Sequence, residues 1–112
     1  MTVYVKRGDT HPPFEKRLRN ELGEPQDLSA VDGVGFNLRD ENYNVVASDD
    51  TDGRVTINDA TTGVVEYDWQ ASDTTDIGSY KAEFVVDFGT DGIRSYPADG
   101  HYHIEITEDI ND

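Results

Sequence analysis

The chain is predicted to be all-β, with two sheets packed face to face as a sandwich, on three observations. Apolar side chains fall on every second residue in Val65-Glu66-Tyr67-Asp68-Trp69 and again from Tyr80 to Phe88, as in strands with one face buried and the other in water. The second run is entered through Asp76-x-Gly78-x-Tyr80, the spacing of a sandwich corner at which a tyrosine opening a strand hydrogen-bonds back to the preceding turn. Turn-forming residues punctuate the rest of the chain at short intervals, and no stretch requires a helix of useful length.

In order, strands are expected at residues 2–6, 14–22, 33–40, 44–48, 54–58, 63–69, 78–88 and 92–96, about eight in all, with a ninth near 102–107. The stretch 14–22 admits a second reading, because Phe14, Leu18 and Leu22 fall at helical spacing and good helix formers lie between Glu15 and Glu21. Pro12-Pro13 ahead and Gly23-Glu24-Pro25 behind favour the strand. Asp27-Leu28-Ser29-Ala30 is a short turn leading into the strand that carries Val34, Phe36 and Leu38. Asp40-Glu41-Asn42-Tyr43-Asn44 closes one hairpin and Phe88-Gly89-Thr90-Asp91-Gly92 another, since such residues accept positive φ or bond their own backbone. Glu108 to Asp112 are expected to fray. The inward phase of each strand gives a core of Val3, Val5, Leu18, Leu28, Val34, Phe36, Leu38, Val45, Val55, Ile57, Val65, Tyr67, Trp69, Tyr80, Ala82, Phe84, Val86, Ile104 and Ile106.

The 112 residues suit one domain, residues 1–112, burying roughly 60–70% of the unfolded chain's surface. With no cysteine, a disulfide framework, a thiolate metal site and a cysteine nucleophile are excluded. The apolar runs fall far short of the ~20 residues that cross a bilayer, and Met1 to Lys6 lack the layout of a secretion signal, so a soluble chain without membrane partners is expected. A formal charge of −15, from 24 acidic and 9 basic residues, disfavours nucleic acid as a partner, because its phosphates would be repelled. The acids are spread along the chain and lysine occurs only at Lys6, Lys16 and Lys81. An evenly acidic, lysine-poor surface predicts a protein of very salty surroundings, where screening relieves self-repulsion. An ordinary acidic protein is the alternative.

Candidate chemistry is sparse. His101 and His103, two apart on a strand, would face one way and grip a metal given a third ligand such as Asp99 or His11; two solvent-facing histidines flanking an inward Tyr102 is the simpler expectation. Ser48 to Gly53 followed by Asp59 echoes a calcium loop, but sits between strands where an acidic hairpin loop is expected. Asp87-Phe88-Gly89 spells a kinase triplet without its phosphate loop or strand lysine, and Arg7-Gly8-Asp9 an adhesion tripeptide without structural context. No serine lies in a Gly-x-Ser-x-Gly setting, and no carboxylate pair stands apart. The chain is therefore expected not to be an enzyme, and no catalytic, cofactor-binding or metal-binding residue is assigned.

Taken together, Tyr4-Val5-Lys6-Arg7-Gly8-Asp9-Thr10, Asp27-Leu28-Ser29-Ala30, Val34-x-Phe36-x-Leu38-Arg39-Asp40, Gly63-Val64-Val65-x-Tyr67-x-Trp69, Asp76-x-Gly78-x-Tyr80-x-Ala82-Glu83-Phe84 and Pro97-x-x-Gly100 resemble the immunoglobulin-like domain at the amino terminus of tailed-phage baseplate upper proteins. The resemblance spans roughly residues 3 to 107. It implies an immunoglobulin-like β-sandwich and a structural role in the virion, with other virion proteins and further copies of the chain as partners. Joined with the acidic surface, it suggests a tailed virus of a halophilic archaeon. The chain stops after the domain, without a shaft or receptor-binding part, which favours a tail, baseplate or neck adaptor, a capsid decoration or a short fibre component. Antibody domains fit poorly, since Ala82 stands where they carry cysteine after the corner tyrosine.

Contacts are expected at sheet edges and loops and, because salt-rich solvent weakens ionic contacts, through apolar and hydrogen-bonded groups, with Tyr4, Tyr43 and Tyr96 nominated and the remaining partner-binding residues unassigned. The competing class is a module that binds carbohydrate on a host surface through exposed aromatics such as Tyr43 or Tyr96. A cellular immunoglobulin-like partner domain is a third.

Overall fold

The computed structural model describes residues 2–49, 53–97 and 100–108. Among them run nine strands: β1 (Thr2–Lys6), β2 (Phe14–Arg17), β3 (Gly33–Arg39), β4 (Val45–Asp49), β5 (Val55–Asp59), β6 (Val64–Tyr67), β7 (Gly78–Asp87), β8 (Ile93–Tyr96) and β9 (Tyr102–Thr107). Short 3₁₀ turns at Ala71–Thr74 and Gly89–Asp91 flank β7. One sheet has the order β1-β9-β7-β3-β4, with β8 also on β7, and the other is β2-β6-β5. All pairs are antiparallel except β1 with β9, which is parallel. Six strands in one sheet and three in the other make an immunoglobulin-like β-sandwich.

Alternation puts Tyr80, Ala82, Phe84 and Val86 of β7 inside, with Phe36 and Leu38 of β3 and Ile104 and Ile106 of β9 beside them. From the smaller sheet come Phe14, Val65, Tyr67 and, just beyond β6, Trp69. The rings form one cluster: Phe36 stacks on Tyr67 at 4.1 Å between centroids, and meets Phe84 at 5.1 Å and Trp69 edge-on at 6.1 Å. Phe14 joins the sheets on the same side, with Phe84 at 5.7 Å and Tyr102 at 5.6 Å. Such pairs add to the burial of 150–250 Å² that each ring typically brings.

The corner forms as its spacing predicts. The Tyr80 hydroxyl donates to the Asp76 carbonyl at 2.6 Å, and burial, helped by the charges of Asp76, Asp40 and Glu41, raises its pKa. A second buried knot lies one turn earlier. Tyr67 donates to Asp73 Oδ2 at 2.6 Å, the Gln70 amide donates to the same oxygen at 2.8 Å, and Arg54 reaches Tyr67 at 3.0 Å. Asp73, 3% exposed, is thereby satisfied, as a buried carboxylate must be. At Gly63 a side chain would collide with the chain that crosses it: an added Cβ would lie 2.6 Å from the Gln26 carbonyl oxygen, and φ is +74°.

Several expectations are corrected. The strand expected over 14–22 ends at Arg17, and no helix replaces it. There Asn20 takes over the backbone, its Oδ1 accepting from Leu22 N at 2.9 Å and Glu24 N at 3.1 Å, a side-chain turn that competes with ladder bonds. Val45 and Ile57 leave the core, at 58% and 37% exposure, while Phe14, Ala47 and Tyr96 enter it. Val3, Val5, Val34 and Val55 pack against the core but are only partly buried. The hairpins at 40–44 and 88–92 form as expected, Asp40 N donating to Asn44 O and Phe88 N to Gly92 O. The expected fraying concerns residues that, apart from Glu108, lie outside those described.

Candidate interaction surface

Three regions of the surface carry a cleft or exposed apolar side chains. The first is the outer face of the larger sheet. Odd-numbered residues of β7 and β9, Ser79, Lys81, Glu83, His103 and Glu105, point away from the core, as do Asn37 and Arg39 of β3. Most of them satisfy one another. Ser79 and His103 both bond Glu105 Oε1, at 2.5 and 2.8 Å, and the serine above all, then the histidine, lowers the Glu105 pKa. Ser48 donates to Asn37, which donates to Glu83.

At one end of this face the β3–β4 hairpin folds over the sheet and leaves a cleft of about 280 Å³ between Asn37, Arg39, Tyr43, Lys81, Glu83 and His101. Tyr43 sits at φ 65°, among residues other than glycine the one described with positive φ. Two cations hold it there: Arg39 donates to its carbonyl at 2.9 Å, and the Lys81 ammonium donates to its hydroxyl at 3.0 Å while lying 4.1 Å from the ring centroid.

The second surface is the side of the sandwich where β1 and β2, edge strands of the two sheets, run past each other. A cleft of about 370 Å³ opens between them, with Val3, Val5, Pro12, Pro13, Phe14 and Trp69 at its floor and walls. The edge of β2 carries Glu15, Lys16 and Arg17, charges of the kind that discourage strand addition, whereas β1 offers Thr2, Tyr4 and Lys6. The third is the opposite end of the molecule, where Leu22 and Ile93 are 78% and 71% exposed beside the Arg94–Glu21 ion pair.

Of the nominated tyrosines, Tyr4 and Tyr43 are 71% and 61% exposed, on the first two surfaces. Tyr96 is a correction. It pairs with Phe84 across β8 and β7, is wholly buried, and donates to Gln26 at 3.1 Å, so it cannot be a contact for sugar or protein.

The other sequence candidates scatter. His103 pairs with Glu105 and His101 lies at the cleft rim, while Asp99 falls outside the described residues; among those, no group of three or more His, Asp or Glu is placed to hold a metal. Residues 50–52 of the calcium-like loop likewise lie outside the described residues. Asp59 accepts from Thr61 and Thr62 of the next turn, which lowers its pKa. Asp87 of the kinase-like triplet caps its own turn by accepting from Gly89 N at 2.8 Å. Arg7-Gly8-Asp9 is the turn leaving β1, tied by its backbone to Thr107, Thr74 and Lys6. No described helix is long and apolar enough to cross a membrane.

No protein-family model matches the chain, and no curated protein sequence does. Among solved structures the chain is similar to the N-terminal domain of phage TP901-1 ORF48, at a TM-score of 0.64 and 17% identity, over 97% of this chain and 86% of that one. At that identity the likeness speaks for the fold.

Proposed function

We propose that the chain is a noncatalytic structural component of a tailed virus particle, an adaptor of the tail, baseplate or neck or a capsid decoration, that holds other virion proteins and further copies of itself by protein contact. The observation that carries this reading is the match of nearly the whole chain to a phage protein's N-terminal domain. The motif resemblance to baseplate upper proteins points the same way. The surfaces fit it too, because an edge strand bearing an exposed tyrosine beside an apolar cleft suits strand addition or side-chain docking by a neighbour. Mass spectrometry of purified particles, with antibody labelling of this chain in electron micrographs, tests the reading. Recovery at fixed copy number on one part of the particle is expected; absence from intact particles overturns it.

The working medium in this reading is concentrated salt. A net charge of −15 on 112 residues repels itself unless screened. The melting temperature is expected to climb between dilute and molar potassium chloride, and a salt-independent value would count against a halophilic source. A second reading, recognition of host carbohydrate, rests on the cleft under Tyr43, where an exposed ring adjoins planar polar side chains. Glycan-array binding that disappears in Tyr43→Ala would favour it.

A further inference from the structure

The cleft under the β3–β4 hairpin holds the wrong charges for a sheet left to itself. Arg39 and Lys81 are direct cross-strand partners of the β3–β7 ladder, and like charges placed opposite each other destabilise an antiparallel pair. With 24 acidic residues against 9 basic ones, a carboxylate for each cation was the easy arrangement. Yet among the described residues neither Arg39 nor Lys81 makes an ion pair; both spend their hydrogen bonds on Tyr43, one on its carbonyl and the other on its hydroxyl. That leaves further donors of a guanidinium and an ammonium aimed into one cleft. Tyr43 is itself kept in a left-handed backbone conformation that most side chains avoid, a cost borne at the cleft mouth.

From this geometry we infer that the Arg39–Lys81 cleft is a receptor for carboxylate, and that its occupant is an aspartate- or glutamate-bearing turn of a neighbouring protein. The volume of about 280 Å³ admits one or two side chains and not a folded element. A guanidinium meets a carboxylate in a bidentate, charge-assisted contact, and within a cleft such a pair is screened by salt less than in the open. A phosphate polymer brings a charge at every residue against the net charge of −15, whereas one carboxylate can meet Arg39 and Lys81 while Glu83 and Asn37 in the same wall accept from and donate to the amides that flank it. A further copy of this chain, with 24 acidic residues, can supply such a carboxylate. This inference rests on the structural reading above and names the chemistry of the partner.

The test is a nuclear magnetic resonance titration of the isotope-labelled chain, at the lowest salt that keeps it folded. The probes are a capped tetraglutamate peptide, its tetraglutamine counterpart, and glucuronate. Tetraglutamate is expected to shift Arg39, Tyr43, Lys81 and His101 saturably, with tetraglutamine inert and glucuronate weaker than the peptide. Lys81→Glu, which places a carboxylate opposite Arg39, is expected to weaken the peptide about tenfold or more while the melting temperature holds or rises. Arg39→Gln repeats the comparison without a new ion pair.

Absence of saturable shifts, equal shifts from the two peptides, or unimpaired binding by both variants overturns the inference. Glucuronate binding as tight as the peptide's or tighter overturns it in favour of an acidic glycan. Because recovery from purified particles is measured separately, a chain that is present in the particle but blind to tetraglutamate sinks this inference alone.

Discussion

The two faces of the larger sheet are made by the same strands and differ in almost everything else. On the inner face, even-numbered residues of β7 and β9 meet the aromatic cluster, and the polar atoms nearest it are tied down, Tyr67 to Asp73 and Tyr80 to Asp76. The outer face is mostly polar side chains that satisfy one another until the Arg39–Lys81 end, where cations confront each other around an exposed tyrosine. Alternation allows this division. A residue of one parity can be exchanged with little effect on the other, so what holds the fold and what meets a partner are written on the same strands in alternate positions.

Changes on the inner face should break the fold first. Phe36→Ala removes the ring that touches Phe14, Tyr67, Trp69 and Phe84, and a loss of about 3–5 kcal/mol is expected in denaturant titration, with Trp69→Ala and Phe84→Ala in the same range. Tyr67→Phe keeps the ring but strips a donor from Asp73, 3% exposed, and about 1–3 kcal/mol is expected; a change within error would show that another donor suffices.

Alkali reads the same interior by degrees. Burial raises the pKa values of Tyr80 and Tyr96 and pushes Tyr102 up to about 12. An acid whose pKa is raised by folding stabilises the native state fully below its unfolded value of about 10, and that stability drains away as pH climbs through the folded value. Phenolate absorbance should therefore lag that of the denatured chain, and coincident titrations would contradict the packing around these hydroxyls. At the far end of the scale, Val45→Thr on the outer face of edge strand β4 is expected to change stability by no more than about 0.5 kcal/mol. A larger loss would mean the two faces are less separate than they look.

Much of the fold was legible because period and punctuation agreed. Each of the nine strands lies where alternation and turn residues place one, and Tyr80 bonds the carbonyl its spacing predicts. The errors have local physical causes. Val45 and Ala47 share a parity, but an extra residue between the Leu38–Ala47 and Arg39–Val45 pairs turns Val45 outward, and a bulge leaves no mark in composition. In β8, Ile93 and Tyr96 have opposite parity, so one had to face out; the structure exposes the isoleucine and buries the tyrosine against Phe84. Ile57 keeps the inward phase, opposite Val65, but lies on edge strand β5 beside a register shift, where it is less covered.

The cleft was the least legible feature. Tyr43 stands out in the sequence as an aromatic in a turn, but Arg39 and Lys81 are 42 positions apart and opposed only through the register of β3 and β7. A cross-strand clash of like charge becomes visible when strand pairing is known.

The parallel pairing of β1 with β9, in register from Thr2 with His103 to Lys6 with Thr107, has a mechanical consequence. The two strands point the same way, so a pull applied through the two ends of the described chain drags them lengthwise past each other. The ladder must then yield all at once in shear, where an antiparallel hairpin pulled at its open end would unzip bond by bond. A domain held by neighbours through these two ends carries load along that axis.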